Sequence, residues 1–231
     1  MIVVKIADIP IGINNRYSYV EDLMRDYITD EAPSFCIDVS DADISKERET
    51  FDQDCSFGCL EGVVIHRKIA ERLADYDAVV LHGAVLDVAG YAYIFTARSG
   101  VGKTTHAKLW LSEIPGARIL NGDKPVIRFI DGVPYAYGTP WRGKEGFGDN
   151  SRAELSSIAF LERAEHNTAD VITPSHAAVR LVQQVYIPKI PSAAVKAMRI
   201  VDRILSSVRL VELRCNMNSD AAHVALDTMT K

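Results

Sequence analysis

The stretch Ala97-Arg98-Ser99-Gly100-Val101-Gly102-Lys103-Thr104-Thr105 constrains what this chain can fold into more than any other. A phosphate-binding loop is written Gly, four residues, then Gly-Lys-Ser/Thr, and it sits between a strand and a helix. Gly102, Lys103 and Thr104 fall in register with that pattern, and Ala97 stands where the first Gly would be. If that first position needs a positive φ, an Ala is costly there and the loop departs from the usual shape.

The flanks agree with the motif. Tyr91-Ala92-Tyr93-Ile94-Phe95-Thr96, aromatic and β-branched after Gly90, predicts a strand. Thr104 to Leu111 predicts a helix. Small residues let backbone N–H groups approach phosphate oxygens, and a helix N-terminus adds positive partial charge. The implied ligands are a nucleotide phosphate chain and a divalent metal, Mg²⁺. Ser99, Gly100, Val101, Gly102, Lys103, Thr104 and Thr105 would cradle the phosphates, with Lys103 on the β- and γ-phosphates and the Thr104 hydroxyl on the metal.

Such a loop needs a carboxylate at the end of a neighbouring strand to help hold the metal. Asp123 fits, following a predicted strand at 117–121, whereas Asp131 is explained by an Asp-Gly hairpin turn between 126–130 and 133–137. His82 lies near the phosphates if the segment holding it pairs with 91–96. Arg142, Lys144 and Glu145 form a charged cluster in a Gly-rich stretch, 138–150, of the kind that carries function on a rigid scaffold. His106, on the loop's helix, is expected to be structural.

Elsewhere the patterning predicts a strand near 1–6, helices at 17–28 and 60–75, and one buried strand over 77–88. An acidic stretch, Asp38 to Asp54, is expected to be loop or short strands. A strand at 155–161, helices at 174–186 and 192–207, a strand at 209–214 and a helix at 220–228 complete the pattern. It predicts an α/β fold, a twisted mixed sheet flanked by helices. An N-terminal acidic subdomain is expected over 1–75 and a loop-bearing core over 76–231.

Residues 1–61 hold 14 acidic and 5 basic side chains, the remainder 17 and 21. The positive portion holds the loop, as anionic ligands favour. With a net charge of −5 and no basic stripe, no nucleic-acid partner is expected. No apolar run approaches a membrane span, so no membrane partner and a cytoplasmic location are expected. The four cysteines, Cys36, Cys55, Cys59 and Cys215, are expected to be free thiols.

The segment from Leu81-His82-Gly83 through Thr96, followed by Ser99-Gly100-Val101-Gly102-Lys103-Thr104, resembles the catalytic core of HPr kinase/phosphorylase, a core shared with ATP-type phosphoenolpyruvate carboxykinases. Asn121-Gly122-Asp123-Lys124-Pro125 and Gly138-Thr139-Pro140-Trp141 extend the likeness to small HPr-kinase-like proteins, some of which phosphorylate a serine of a precursor peptide. The resemblance implies a phosphoenolpyruvate-carboxykinase-like fold, transfer of the γ-phosphoryl of ATP to a serine hydroxyl of a peptide or small protein, and a homo-oligomer. With the residues read from spacing, Lys103, Asp123, His82, Glu145, Arg142 and Lys144 are the catalytic candidates, and Thr104 and Asp123 the expected metal ligands. Where the family carries its first of two adjacent Asp residues, the serine base, this chain has Gly122. Asp123, Glu145 and His82 are the alternatives for that duty. A nucleotide-binding regulator without chemistry and a small-molecule kinase are the competing readings.

Overall fold

The computed structural model describes residues 1–50 and 55–230. At the N-terminus β1 (Ile2–Ile6) and β2 (Ile9–Asn14) form an antiparallel hairpin, with β3 (Phe35–Asp38) added parallel to β2. The hairpin turns through Ala7 and Asp8, both at positive φ (51° and 58°), the twist a two-residue connection demands. α1 (Ser18–Met24) gives way to a single 3₁₀ turn, Arg25–Tyr27, and so ends earlier than its periodicity predicts.

The loop expected over Asp38–Asp54 is instead a helix, α2 (Asp41–Thr50), and residues 51–54 lie outside the described residues. Ser40 and Asp43 start it by reciprocal capping. The Ser40 hydroxyl accepts from the Asp43 N–H at 3.2 Å, and the Asp43 carboxylate accepts from the Ser40 N–H at 2.9 Å. α3 (Phe57–Leu73) lays Leu60, Val64, Ile65, Ile69 and Leu73 on the small sheet at helical spacing. Cys55 and Cys59 are not free thiols but form a disulfide at its first turn, where Ser56 is the N-cap; Cys36 and Cys215 are free, the latter buried.

The large sheet is mixed. Its strand order is β4 (Ala78–Val80), β8 (Val126–Ile130), β9 (Val133–Tyr137), β10 (Arg152–Arg163), β6 (Tyr91–Thr96), β5 (Ala84–Val88), β7 (Arg118–Asn121). β12 (Arg209–Cys215) pairs with the far end of β10, and β11 (Thr168–Val171), which the sequence pattern did not suggest, pairs with β12. The single strand expected over 77–88 is therefore two, broken at Leu81-His82-Gly83. In a flat sheet β4 and β5 would stand about 24 Å apart, at about 4.8 Å per strand. The link from Val80 to Ala84 reaches at most about 15 Å. The sheet must curl, and the curl brings 81–83 against the β7–β8 link: Leu81 N–H donates to Pro125 O at 3.0 Å and Gly83 N–H to Asp123 O at 3.0 Å.

Alternation along the central strands assigns the two faces. Ala92, Ile94, Ile158 and Phe160 pack under α5 (Pro174–Val182) and α6 (Pro191–Ser207). Tyr93, Phe95, Ala159 and Leu161 pack under α4 (Lys103–Glu113) and α7 (Asp220–Thr230). α5 stops at Val182, four residues short of the expected end, and the chain turns there to lend Gln184 O to His82 N–H at 2.7 Å. The core of residues 1–73 runs on without interruption into Ala78, Val80, Val126 and Tyr137 of the large sheet.

Candidate active site

β6 delivers the chain to the glycine-rich loop at Thr96, whose hydroxyl donates to His82 O at 2.8 Å. Ala97 keeps a negative φ; the left-handed conformations fall on Gly100 (φ 80°) and Gly102 (φ 130°), where the absence of a Cβ removes the strain. The Ala substitution that the motif raises as a difficulty is thus harmless. α4 then begins at Lys103 with Gly102 as an N-cap that offers no side chain, so the first amides of the helix have no partner from their own helix. Lys103 is 9% exposed, and its ammonium donates to Ala97 O at 3.1 Å. Burial lowers its pKa, partly opposed by the charge of Asp123.

Arg163, the last residue of β10, holds this loop from behind. Its Nε donates to Val101 O at 3.0 Å and its Nη2 to Gly100 O. Two carbonyls of the loop are thereby drawn away from the cavity, which favours amides turned inward. Sequence reasoning passed Arg163 by, since nothing local marks a residue more than sixty positions away.

Across from the loop stands the β7–β8 link. Asn121 is fully buried; its Oδ1 accepts from the N–H groups of Asp123 (2.9 Å) and Lys124 (2.7 Å), and its Nδ2 donates to Thr139. This side-chain turn presents Asp123 to the cavity. Asn121 was also passed over as a site residue, although Asn before Gly-Asp carries the signature of such a turn. His82 Nε2 lies 3.3 Å from Asp123 Oδ1, and Lys124 Nζ 3.8 Å from Oδ2. Burial pushes the Asp123 carboxyl up, but the hydrogen bond from His82 and the charges of Lys124, His82 and Lys103 outweigh it and hold the pKa below the usual value. Asp123 is ionised at neutral pH.

The stretch 138–150 closes the third side. Arg142 bonds Asp26 at 2.8 Å and sits over the Tyr27 ring, while Glu145 pairs with Lys108 of α4 at 2.9 Å on the rim. Trp141 donates from Nε1 to Gly62 O at 3.2 Å and meets His66 edge-on at 4.7 Å. His66 is held neutral, its pKa lowered to about 4 by burial and by the charge of Lys124. Gly122 has a physical reason for lacking a side chain: a Cβ there would come within 2.8 Å of the Arg142 carbonyl oxygen. Backbone fills the place where a second carboxylate would begin.

These parts enclose a cavity of about 450 Å³. Ser99, Gly100, Gly102, Lys103, Thr104 and Thr105 line one wall; His82, Asp123, Arg142, Lys144, Glu145 and Phe147 line the other. Of the residues singled out from the sequence, Val101 does not line it; its side chain turns to the opposite side of the loop. His106 is buried on the face of α4 that meets Phe95, with Nε2 accepting from Trp110 Nε1 at 3.1 Å, a structural place as expected. Among the described residues no group of three or more His, Cys, Asp or Glu side chains is placed to hold a metal ion. One ionised carboxylate and a threonine hydroxyl suit Mg²⁺, which keeps waters and takes phosphate oxygens, better than an ion needing an all-protein cage.

No helix of the described residues is long and apolar enough to cross a membrane. No family model and no curated protein matches the chain. A solved structure, the Hpr(Ser) kinase/phosphatase from Coxiella burnetii, is similar at a TM-score of 0.33 and 8% identity, covering 63% of this chain and 91% of that one. At that level the likeness is faint, and the chemistry has to be read from the residues of the site.

Proposed function

We propose that this protein is an ATP- and Mg²⁺-dependent phosphotransferase that moves the γ-phosphoryl group to a hydroxyl, that of a serine in a peptide or small protein. One observation carries the reading: an uncapped helix N-terminus behind two positive-φ glycines, a buried lysine and an ionised carboxylate 3.3 Å from a histidine nitrogen all face one cavity. Lys103 and the amides of 102–105 bind the phosphate chain. Thr104 and Asp123 would hold Mg²⁺, which when bound neutralises phosphate charge. Arg142 and Lys144, on the opposite wall, steady the charge that spreads over the transferring group.

In the transfer the acceptor O–H bond breaks, a new O–P bond forms, and the bond from γ-phosphorus to the bridging oxygen breaks as ADP leaves. The proton goes to the Asp123–His82 pair. Glu145 is a weaker candidate because Lys108 engages its carboxylate on the rim. Incubation with γ-labelled ATP, Mg²⁺ and serine-containing peptides tests the reading. Label should reach serine and disappear in Lys103→Met; tight MgATP binding without transfer to any peptide or to water would sink it. That last outcome is what the regulator reading expects, and the backbone filling the space beside Gly122 is the observation in its favour.

A further inference from the structure

α3 starts from a sequence that holds a helix poorly. Its first two turns read Phe57-Gly58-Cys59-Leu60-Glu61-Gly62, and glycine is, after proline, the residue least suited to a helix interior. Both glycines are there for space. A Cβ on Gly58 would stand 2.7 Å from Tyr19 Cβ, and one on Gly62 3.3 Å from Leu23 Cδ2, so α1 lies close against them. Two devices make up for the weak start. The Ser56 hydroxyl accepts from the Cys59 N–H at 3.2 Å, and the disulfide joins Cys55 to Cys59, 4 positions on. Both of these cysteines are half-buried, within reach of a thiol in solution, whereas Cys215 is buried.

Just past the second cysteine lie the two residues on which the far wall of the cavity hangs. Gly62 O takes the hydrogen bond from Trp141 Nε1. The Glu61 carboxylate, fully buried, accepts from the Arg16 N–H at 2.7 Å and the Tyr17 N–H at 3.0 Å, which fixes the chain as it enters α1. α1 leads directly to Asp26 and Tyr27, the anchors of Arg142. We propose that Cys55 and Cys59 form a thiol–disulfide switch on this wall, with a small dithiol as the reductant. A thiolate of the dithiol attacks one cysteine sulfur, the Cys55–Cys59 bond breaks and a mixed disulfide forms; the second thiol of the reductant then displaces that cysteine. Two electrons and two protons pass to the protein, which now holds two thiols, and the reductant leaves as its own disulfide. Reduction opens the first turn of α3, Glu61 and Gly62 lose their fixed places, and the stretch 138–150 loosens. The switch acts on the wall itself, whatever ligand the cavity takes.

Hydrogen exchange of the intact protein, read by mass spectrometry with and without dithiothreitol, tests this. Under denaturing conditions iodoacetamide should label only Cys36 and Cys215 before reduction and Cys55 and Cys59 as well after it. In the folded protein, reduction should speed exchange over 57–62 and 138–150 about fivefold or more and leave β6, 91–96, within about twofold. A Cys55→Ser/Cys59→Ser double variant should exchange like the reduced protein and ignore dithiothreitol; if it does not fold, the dithiothreitol arm decides alone. Labelling of Cys55 and Cys59 before reduction overturns the inference. So does a bond that dithiothreitol leaves intact, or exchange at either segment that reduction does not change. Acceleration that includes 91–96 overturns it too, since the bond would then staple the whole fold and not one wall of the cavity.

Discussion

Two loops face one another across the candidate site and are held by opposite means. The loop at 97–105 is fastened locally. It joins adjacent elements, β6 and α4, and needs one outside clamp, Arg163, to fix two carbonyls. The stretch 138–150 is fastened from afar. Asp26 and Tyr27 hold Arg142, Gly62 and His66 hold Trp141, and the Tyr27 hydroxyl donates to Asp149 O at 3.0 Å. All of those anchors belong to the N-terminal residues. One wall of the cavity is thus written in a contiguous motif, and the other is assembled by tertiary packing. A histidine lies beneath each: His106 under the first, His66 against the second.

The contrast breaks most sharply at Lys103. Lys103→Met should reduce phosphoryl transfer by about a thousandfold, with an unchanged circular dichroism spectrum. A loss of tenfold or less would mean that the first loop does not carry the chemistry.

Acid should strike both loops. Burial lowers the pKa of His106 to about 4, and His66 is lowered to about 4 as well. Unfolded, each takes up a proton near 6.5. Folded stability is complete above that value and is lost as pH falls from about 6.5 to about 4. The loss is roughly 3 kcal/mol for each. Urea titrations from pH 7 to 4 measure it. His106→Gln and His66→Gln should each flatten the profile, and a profile unchanged by either variant would contradict the assignment.

Trp141→Ala should cost about 2 kcal/mol in urea unfolding and should raise the KM for ATP or acceptor, because Arg142 and Lys144 ride on the same stretch. Loss of stability with kinetics unchanged would show that the second loop is packing alone. Arg163→Ala should weaken MgATP binding about tenfold, the low end for a single hydrogen bond from a charged donor because both bonds are solvent-exposed and act on the site only through the loop, with the melting temperature nearly unchanged. Asp26→Asn should have the smallest effect, about threefold on kcat/KM, since its pair with Arg142 is part-exposed. A larger effect there than at Arg163 would reverse the ranking of the two anchorages.

The same division runs through what could be read in advance. Strand, loop and helix around Lys103 follow from spacing alone, as does the Asp131-Gly132 turn of the β8–β9 hairpin, because each is settled by residues next to one another. The position of Asp123 just after a strand was legible too. Less legible was anything that depends on which strands meet. The break at 81–83 comes from curling of the sheet, and a run of buried residues looks alike whether it is one strand or two. The helix at 41–50 has little apolar patterning to reveal it; its capping serine and aspartate were the available signal.

By itself the sequence determined the strand, glycine-rich turn and helix around Lys103, the α/β alternation and the place of Asp123 after a strand, since backbone dihedrals and side-chain periodicity are properties of neighbours. The tertiary structure alone decided that His82 stands beside Asp123, that the Arg142 carbonyl excludes a side chain at Gly122, and that Arg163 clamps the loop. Those contacts join residues from 20 to 63 positions apart, and only a closed, curled sheet brings such distant groups within reach.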